Sequence, residues 1–245
     1  MNYEVVTTQD GSNTLYSKQY NQHYHNIDDG AVNESLHKHV IPCISFHKNE
    51  KSLNILDICF GIGYNSLSTI YYVKKNNLDI KLNIYSPELD ESLINSLKDF
   101  NYPKEFDFLK EIINELSTNY FYEDENLKIE IGIGDARKYI KKFNKDFFNI
   151  VYQDAFSSDV NKELWTKEYF DDIFKISNKN VIMSTYSIAT PVRLSIYKAG
   201  FEIYQYIPVK RKLSLCFKEK QDFIGKYIDM ELKQQRNKEA KPIYD

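Results

Sequence analysis

Long apolar runs are missing from this sequence of 245 residues. No stretch approaches the ~20 residues that a bilayer-spanning helix needs, so no membrane partner is expected. The start, MNYEVVTTQDGSNT, lacks the basic residues and apolar run of a secretory signal, and a cytoplasmic location is expected. Cysteine is scarce: Cys43, Cys59 and Cys216 form an odd set without metal-ligand spacing. Two of them sit inside apolar strand-like runs and read as buried, reduced thiols. An excess of positive charge is also lacking, since the formal net charge is -3. Any nucleic-acid contact must then come from a local patch. Metal binding is not expected. His23 and His25 share one face of a strand, but His37 and His39, two apart on a helix, diverge, and no Cys or acid completes a ligand set.

What is present is the pattern of a folded α/β chain. Hydrophobic residues make up 42% and charged residues 27%, a balance that supports a sizeable core. Tyr3 to Tyr20 alternates like a strand on either side of Asp10-Gly11, a hairpin signal. From Leu53, strand-like and helix-like runs take turns: LNILDIC, SLSTIYYVKK, IKLNIYS, ESLINSLKDF, a helical stretch from Glu105 to Leu116, LKIEIGIGD, FNIVYQD, a helical stretch over Lys162 to Ile176, and NVIMSTY. A helix near Pro191 to Ala199, capped by Gly200, leads into FEIYQYI and LSLCF, which have no helix between them and so form a hairpin. The expectation is an α/β fold with a seven-stranded, mostly parallel sheet, an antiparallel C-terminal hairpin and a small N-terminal β-hairpin segment. Residues 1–50 form the hairpin and helix, 51–218 the main domain, and 219–245 a charged tail read as helical.

In a doubly wound sheet, ligands sit at the carboxyl ends of the strands. Strand one runs into Asp57-Ile58-Cys59-Phe60-Gly61-Ile62-Gly63-Tyr64-Asn65, where glycines let the backbone approach a ligand ahead of a helix N-terminus. A dinucleotide site wants a third glycine at the position of Ser66, so NAD and FAD are disfavoured. Strand two ends at Glu88, at about the spacing, roughly 20 residues, where a carboxylate accepts from ribose hydroxyls. Strand three ends Gly134-Asp135-Ala136, and an acid there can accept from an adenine amino group. Strand four ends Gln153-Asp154-Ala155-Phe156. A helix N-cap or solvated loop accounts for any single acid among these. Four acids at four successive strand ends make a constellation.

The chain resembles the methyltransferase half of the MnmC family, whose bifunctional members finish wobble-uridine modification in bacterial tRNA. The resemblance rests on Ser17-Lys18-Gln19-Tyr20-Asn21-Gln22-His23-Tyr24, Asp29-Gly30 and Glu34 near the start. Asp57 to Asn65 follows, similar to the family's Glu-x-Gly-Phe-Gly-Thr-Gly-x-Asn loop. Gly134-Asp135-Ala136, Asp154-Ala155-Phe156, Leu164-Trp165-Thr166, Thr185-Tyr186, Ala199-Gly200-Phe201 and Lys210-Arg211 come in the family's order. There are departures: Cys59 stands for the loop's first glycine, and Ser157-Ser158-Asp159 replaces an Ala-Pro.

The resemblance implies a Rossmann-like class I methyltransferase that uses S-adenosylmethionine, releases S-adenosylhomocysteine and acts on tRNA. No FAD is expected, since nothing after Phe217 is long enough for the family's oxidase half. It implies that Asp57, Phe60, Gly61, Gly63, Asn65, Glu88, Asp135, Ala136 and Asp154 surround the cofactor. Asp154 also becomes the candidate proton acceptor, with Tyr24 and Glu34 orienting the base. Lys210, Arg211 and Arg193, with lysines between Lys138 and Lys142, are candidate phosphate contacts. The reaction implied is methylation of the 5-aminomethyl amine of wobble uridine 34. A polyamine aminopropyltransferase and a non-catalytic cofactor-binding module are the alternatives.

Overall fold

The N-terminal residues fold as the alternation predicts. In the computed structural model, which describes residues 3–222 and 225–245, β1 (Tyr3–Thr7) and β2 (Asn13–Ser17) pair antiparallel with Val5 opposite Leu15. A third strand, β3 (Gln22–His23), adds to β2. The turn at Asp10-Gly11 is held by the Asp10 carboxylate, which accepts from the Ser12 amide (3.0 Å) and the Thr8 hydroxyl (2.8 Å). It also accepts from the Asn33 amide (3.0 Å), tying the turn to the helix that follows.

By packing, the chain divides into two units, Met1–Asp135 and Ala136–Asp245. In the first, the three-stranded sheet is followed by α1 (Ala31–Ser35), a π-helical turn (Leu36–Val40) and α2 (Ile41–Phe46). Then come β4 (Ser52–Ile58), α3 (Tyr64–Lys75), β5 (Lys81–Glu88), α4 (Glu91–Asn95), α5 (Lys110–Asn119), β6 (Phe121–Glu123) and β7 (Leu127–Ile133). Strands β4, β5 and β7 are parallel neighbours, and β6 closes that side antiparallel to β7. Leu53, Ile55, Leu56, Ile84 and Ile129 have no measurable exposure, as two-sided burial of a parallel sheet requires.

The second unit holds α6 (Ala136–Ile140), β8 (Phe148–Gln153), α7 (Lys167–Ile176), β9 (Ser177–Thr185), α8 (Thr190–Lys198), β10 (Glu202–Tyr206), β11 (Leu213–Phe217), β12 (Lys226–Tyr227) and α9 (Met230–Arg236). The order is β8-β9-β11-β10-β12, with β8 and β9 parallel and the remaining pairs antiparallel. Trp165, Tyr169, Phe170, Ile173 and Met183 are fully enclosed. Each such side chain stabilises the fold by about 1.5–3 kcal/mol relative to an exposed one.

All seven expected strands are present, including the antiparallel β10–β11 hairpin, within a mixed α/β sheet architecture. The structure adds β6 and β12, of 3 and 2 residues, too short to show alternation in a sequence. The helical stretch from Lys162 is broken at Trp165-Thr166, because the Thr166 hydroxyl accepts from the Tyr169 amide and starts α7 afresh. The stretch from Glu105 begins as a 3₁₀ segment (Lys104–Leu109) before α5. The tail is helical only over Met230–Arg236; Phe223 and Ile224 lie outside the described residues. Among its last residues, Ile243 is bonded to Ser195 and Asp245 to Arg137. Among the described residues, no helix is long and apolar enough to cross a membrane.

Candidate functional site

The turn after β4 is set by a run of left-handed backbone. Cys59 (φ 67°), Gly61 (φ 57°) and Gly63 (φ 77°) all adopt it, and Gly63 is the N-cap of α3. The missing side chains make room for rings of the protein itself: a Cβ on Gly63 would lie 2.7 Å from Phe60, and one on Gly61 would lie 3.0 Å from Tyr24. Phe60 is thus a buried wedge beneath the turn. Tyr102 fixes the other side, donating to the Ile62 carbonyl at 2.8 Å. Asp57, 1% exposed, accepts from the Ser66 hydroxyl (2.7 Å) and from the Asn65 amide group (3.4 Å). It therefore locks the first turn of α3 to the end of β4.

Glu88 closes β5 against this turn. One carboxylate oxygen accepts from the Gly61 amide (2.8 Å) and the other from the Asp90 amide (2.9 Å). Burial pushes its pKa up in spite of those amide donors. The Glu88 carbonyl accepts from Gly134 at 2.7 Å, which brings the end of β7 alongside. Asp135 is exposed at that end, and Ala136 opens α6 of the second unit. Two apolar residues that the sequence reading missed, Leu89 (68% exposed) and Ile133 (37%), stand at these neighbouring strand ends.

Tyr24 reaches the turn from the N-terminal sheet. Its hydroxyl donates to Tyr3, and the Tyr3 hydroxyl donates to the Asp90 carboxylate. Burial, the bond to Tyr3 and the field of Glu88 hold the Tyr24 proton firmly. Burial and then Asp90 push the Tyr3 pKa up to about 12. Both are hydrogen-bond donors, not bases, at neutral pH. Glu34 is committed to Lys38 and, at 2.5 Å, to the Asn26 amide. It braces the segment that carries Tyr24.

In the second unit, Asp154 follows β8 on a loop with two pins. The Tyr186 hydroxyl donates to the Ala155 carbonyl at 2.9 Å, and the Trp165 indole donates to the Phe156 carbonyl at 2.7 Å. Gln153 is held from both ends, by the Tyr169 hydroxyl and the Leu164 carbonyl. Lys210 and Arg211 are exposed on the β10–β11 loop beside the equally exposed Val209. Arg193 differs: it is 3% exposed, and its Nε donates to the Ser214 hydroxyl at 2.9 Å. Among the described residues, no group of three or more His, Cys, Asp or Glu could hold a metal ion.

Comparison with known proteins gives this geometry a family. Residues 103–218 match the family described as S-adenosyl-L-methionine-dependent methyltransferase. The crystal structure of MnmC2 from Aquifex aeolicus superposes with a TM-score of 0.85 at 30% identity, covering 99% of this chain and 79% of that one. An uncharacterized protein of Methanocaldococcus jannaschii is 30% identical over 220 residues, 87% of this chain. The tRNA 5-methylaminomethyl-2-thiouridine biosynthesis bifunctional protein MnmC of Hydrogenovibrio crunogenus is 24% identical over 174 residues, 66% of this chain. The chain spans 59% of the length of the first of these two relatives and 25% of the second. A match to MnmC2 over 99% of this chain and 79% of that one, at 30% identity, places this protein in the MnmC-type family of S-adenosylmethionine-dependent methyltransferases.

Proposed function

We propose that the protein methylates the 5-aminomethyl amine of wobble uridine 34 in cytoplasmic tRNA, giving 5-methylaminomethyl-uridine or its 2-thio form. The observation that carries this reading is the likeness to a protein named for the biosynthesis of that nucleoside. When bound, S-adenosylmethionine supplies a methyl group on a sulfonium, an excellent leaving group.

The first unit's residues fit such a cofactor. A carboxylate offers about four lone-pair sites; Glu88 uses three on the Gly61, Asp90 and Leu89 amides and keeps the remaining one for a ribose hydroxyl. Leu89 and Ile133 present apolar surface for a flat base, and Asp135 an acceptor for its amino group. Asp57 and Asn65 hold the Phe60-Gly61-Ile62-Gly63 turn that faces the methionine part, with Ala136 beside Asp135. Asp154 is the candidate for the chemistry. A primary alkylamine is largely protonated at neutral pH and must lose a proton before its lone pair can attack, so a carboxylate that accepts it accelerates transfer. Tyr24, whose own proton goes to Tyr3, orients the base with its ring and its hydroxyl oxygen as an acceptor, and Glu34 positions Tyr24. Lys210 and Arg211 contact phosphates.

The test is methyl transfer from labelled S-adenosylmethionine to bulk tRNA lacking the modification, run beside a putrescine assay with the decarboxylated cofactor. Label in uridine 34 supports the reading; aminopropyl transfer to putrescine, or no transfer at all, overturns it. Asp154→Asn is expected to lower turnover at least 100-fold, partly recovered at higher pH, with cofactor affinity changed less than threefold. Parent turnover in that variant removes the proton-accepting role.

A further inference from the structure

Arg193 carries an atom the fold does not satisfy. Its Nε is bonded to Ser214, and the same Ser214 hydroxyl donates to the Ser187 carbonyl at 2.7 Å, which fixes the guanidinium in place. Its Nη2 is buried and has no hydrogen-bond partner. A buried cationic N–H without an acceptor is costly, and proteins keep few of them. Arg193 lines a groove of about 470 Å³ wholly within the second unit. Lys226, Lys233 and Arg236 line it too, against one acid, Asp229. Asp229 is already engaged as the N-cap of α9, accepting from the Leu232 amide at 2.9 Å. Among the described residues, none of the four cations forms an ion pair. Burial and the neighbouring Arg193 charge lower the Lys233 pKa, as expected where two cations share a space with no anion between them.

We infer that this groove is a phosphate site, and that it takes a backbone phosphodiester of the RNA substrate. The planar fork of an arginine matches the oxygens of a phosphate, and flanking lysine and arginine supply the sequence-independent attraction that holds a nucleic-acid strand. A groove open along α9 suits a chain of phosphates better than an enclosed anion. The RNA assignment rests on the tRNA reading above; the phosphate chemistry stands on the groove alone.

The test uses the full chain, with Lys233→Gln/Arg236→Gln as the principal variant, because both side chains project from α9 and can change without disturbing the core. Arg193→Lys, which keeps the charge and loses the fork, is the second. Binding of fluorescent unmodified tRNA is measured by anisotropy across 50–200 mM salt (an assay range), and melting is measured in inorganic phosphate against chloride of equal ionic strength. The double variant is expected to bind tRNA at least tenfold more weakly, with the slope of log affinity against log salt flatter by about 1 to 2. Phosphate is expected to raise the parent melting temperature and leave that of the double variant unmoved. If the parent binds no tRNA yet shows the phosphate shift, the site stands with a small phosphate-bearing ligand and the tRNA reading fails. Equal tRNA affinity and salt slope in parent and double variant, with no phosphate shift in either, overturns the site.

Discussion

Removing one oxygen atom from Tyr186 tests whether the pinned loop after β8 serves chemistry. Tyr186→Phe keeps the ring and deletes the donor to the Ala155 carbonyl, 2.9 Å away, on a residue only 1% exposed. A net hydrogen bond contributes about 0.5–1.5 kcal/mol, and the buried carbonyl left without a partner places this case at the upper end. In a chain of this size about 1.5 kcal/mol lowers the melting temperature by roughly 3–6 °C. If the loss falls on the alignment of Asp154 in the transition state, kcat drops about tenfold, since 1.36 kcal/mol is a factor of ten. Cofactor affinity is expected to change less than twofold, because the proposed ribose and methionine contacts lie on residues 57–65 and 88. Trp165→Phe removes the second pin, and the two together are expected to depart from additivity by about 0.5–3 kcal/mol, as neighbours on one loop do. Trp165 is the one tryptophan, packed edge-on to Tyr186 at 5.8 Å, so its emission in Tyr186→Phe reports the loosening directly. The reasoning is refuted if Tyr186→Phe melts and turns over like the parent. It is equally refuted if affinity for the cofactor falls in step with turnover, since the loop would then act in binding.

Glu88→Ala should weaken cofactor binding by about 1.5–3 kcal/mol, read by calorimetry, since a charge-assisted hydrogen bond to a ribose hydroxyl is lost; unchanged affinity would remove Glu88 from the ribose. Because burial raises the Glu88 pKa in the folded state, its contribution to stability is fully present below about pH 4.3 and is lost as pH rises through the folded value. Urea midpoints of the parent should therefore fall relative to Glu88→Ala over that rise, and parallel pH profiles would contradict the assignment. Cys59→Gly should stabilise the protein by about 0.5–1 kcal/mol: an L residue at φ 67° costs about 1–2 kcal/mol, partly offset by the greater freedom of unfolded glycine. A fall in melting temperature would mean that the thiol's contacts outweigh the backbone.

The strand-end acids were legible because burial on both faces leaves polar residues only where a strand stops, so Asp57, Glu88, Asp135 and Asp154 stand out from their apolar runs. The backbone need at position 59 was visible only as a departure, a cysteine where glycine is usual; the structure supplies the reason. What could not be read are pairings across the chain. Tyr3 and Asp90 lie 87 positions apart and meet only because β1 folds back toward the end of β5. The glycines were read as clearance for a ligand, yet the nearest atoms belong to Phe60 and Tyr24. The sequence gives the charge of Arg193, a candidate phosphate contact, and not the Ser214 hydroxyl that holds it inside. The tail read as one helix because its charges suit a solvated helix face. Instead Asp229 starts the helix late, and the last residues are tied to Ser195 and Arg137 rather than continuing it.

Strand β12 is only two residues long, yet it covers the outer edge of β10. It lies on β10 at Tyr204 and Gln205, and the Ile228 amide extends the cover by donating to the Ile203 carbonyl at 2.8 Å. Without it, β10 would present a row of free amides and carbonyls beside apolar side chains, a template for any passing strand. Lys226 places a charge on the new outer edge, where a second molecule would have to bury it to pair. Cutting the chain before Lys226 also removes α9 with its buried Met230 and the contacts of Ile243 and Asp245, so it is expected to lower the melting temperature and to yield a protein that associates edge to edge, visible as light scattering that grows with concentration.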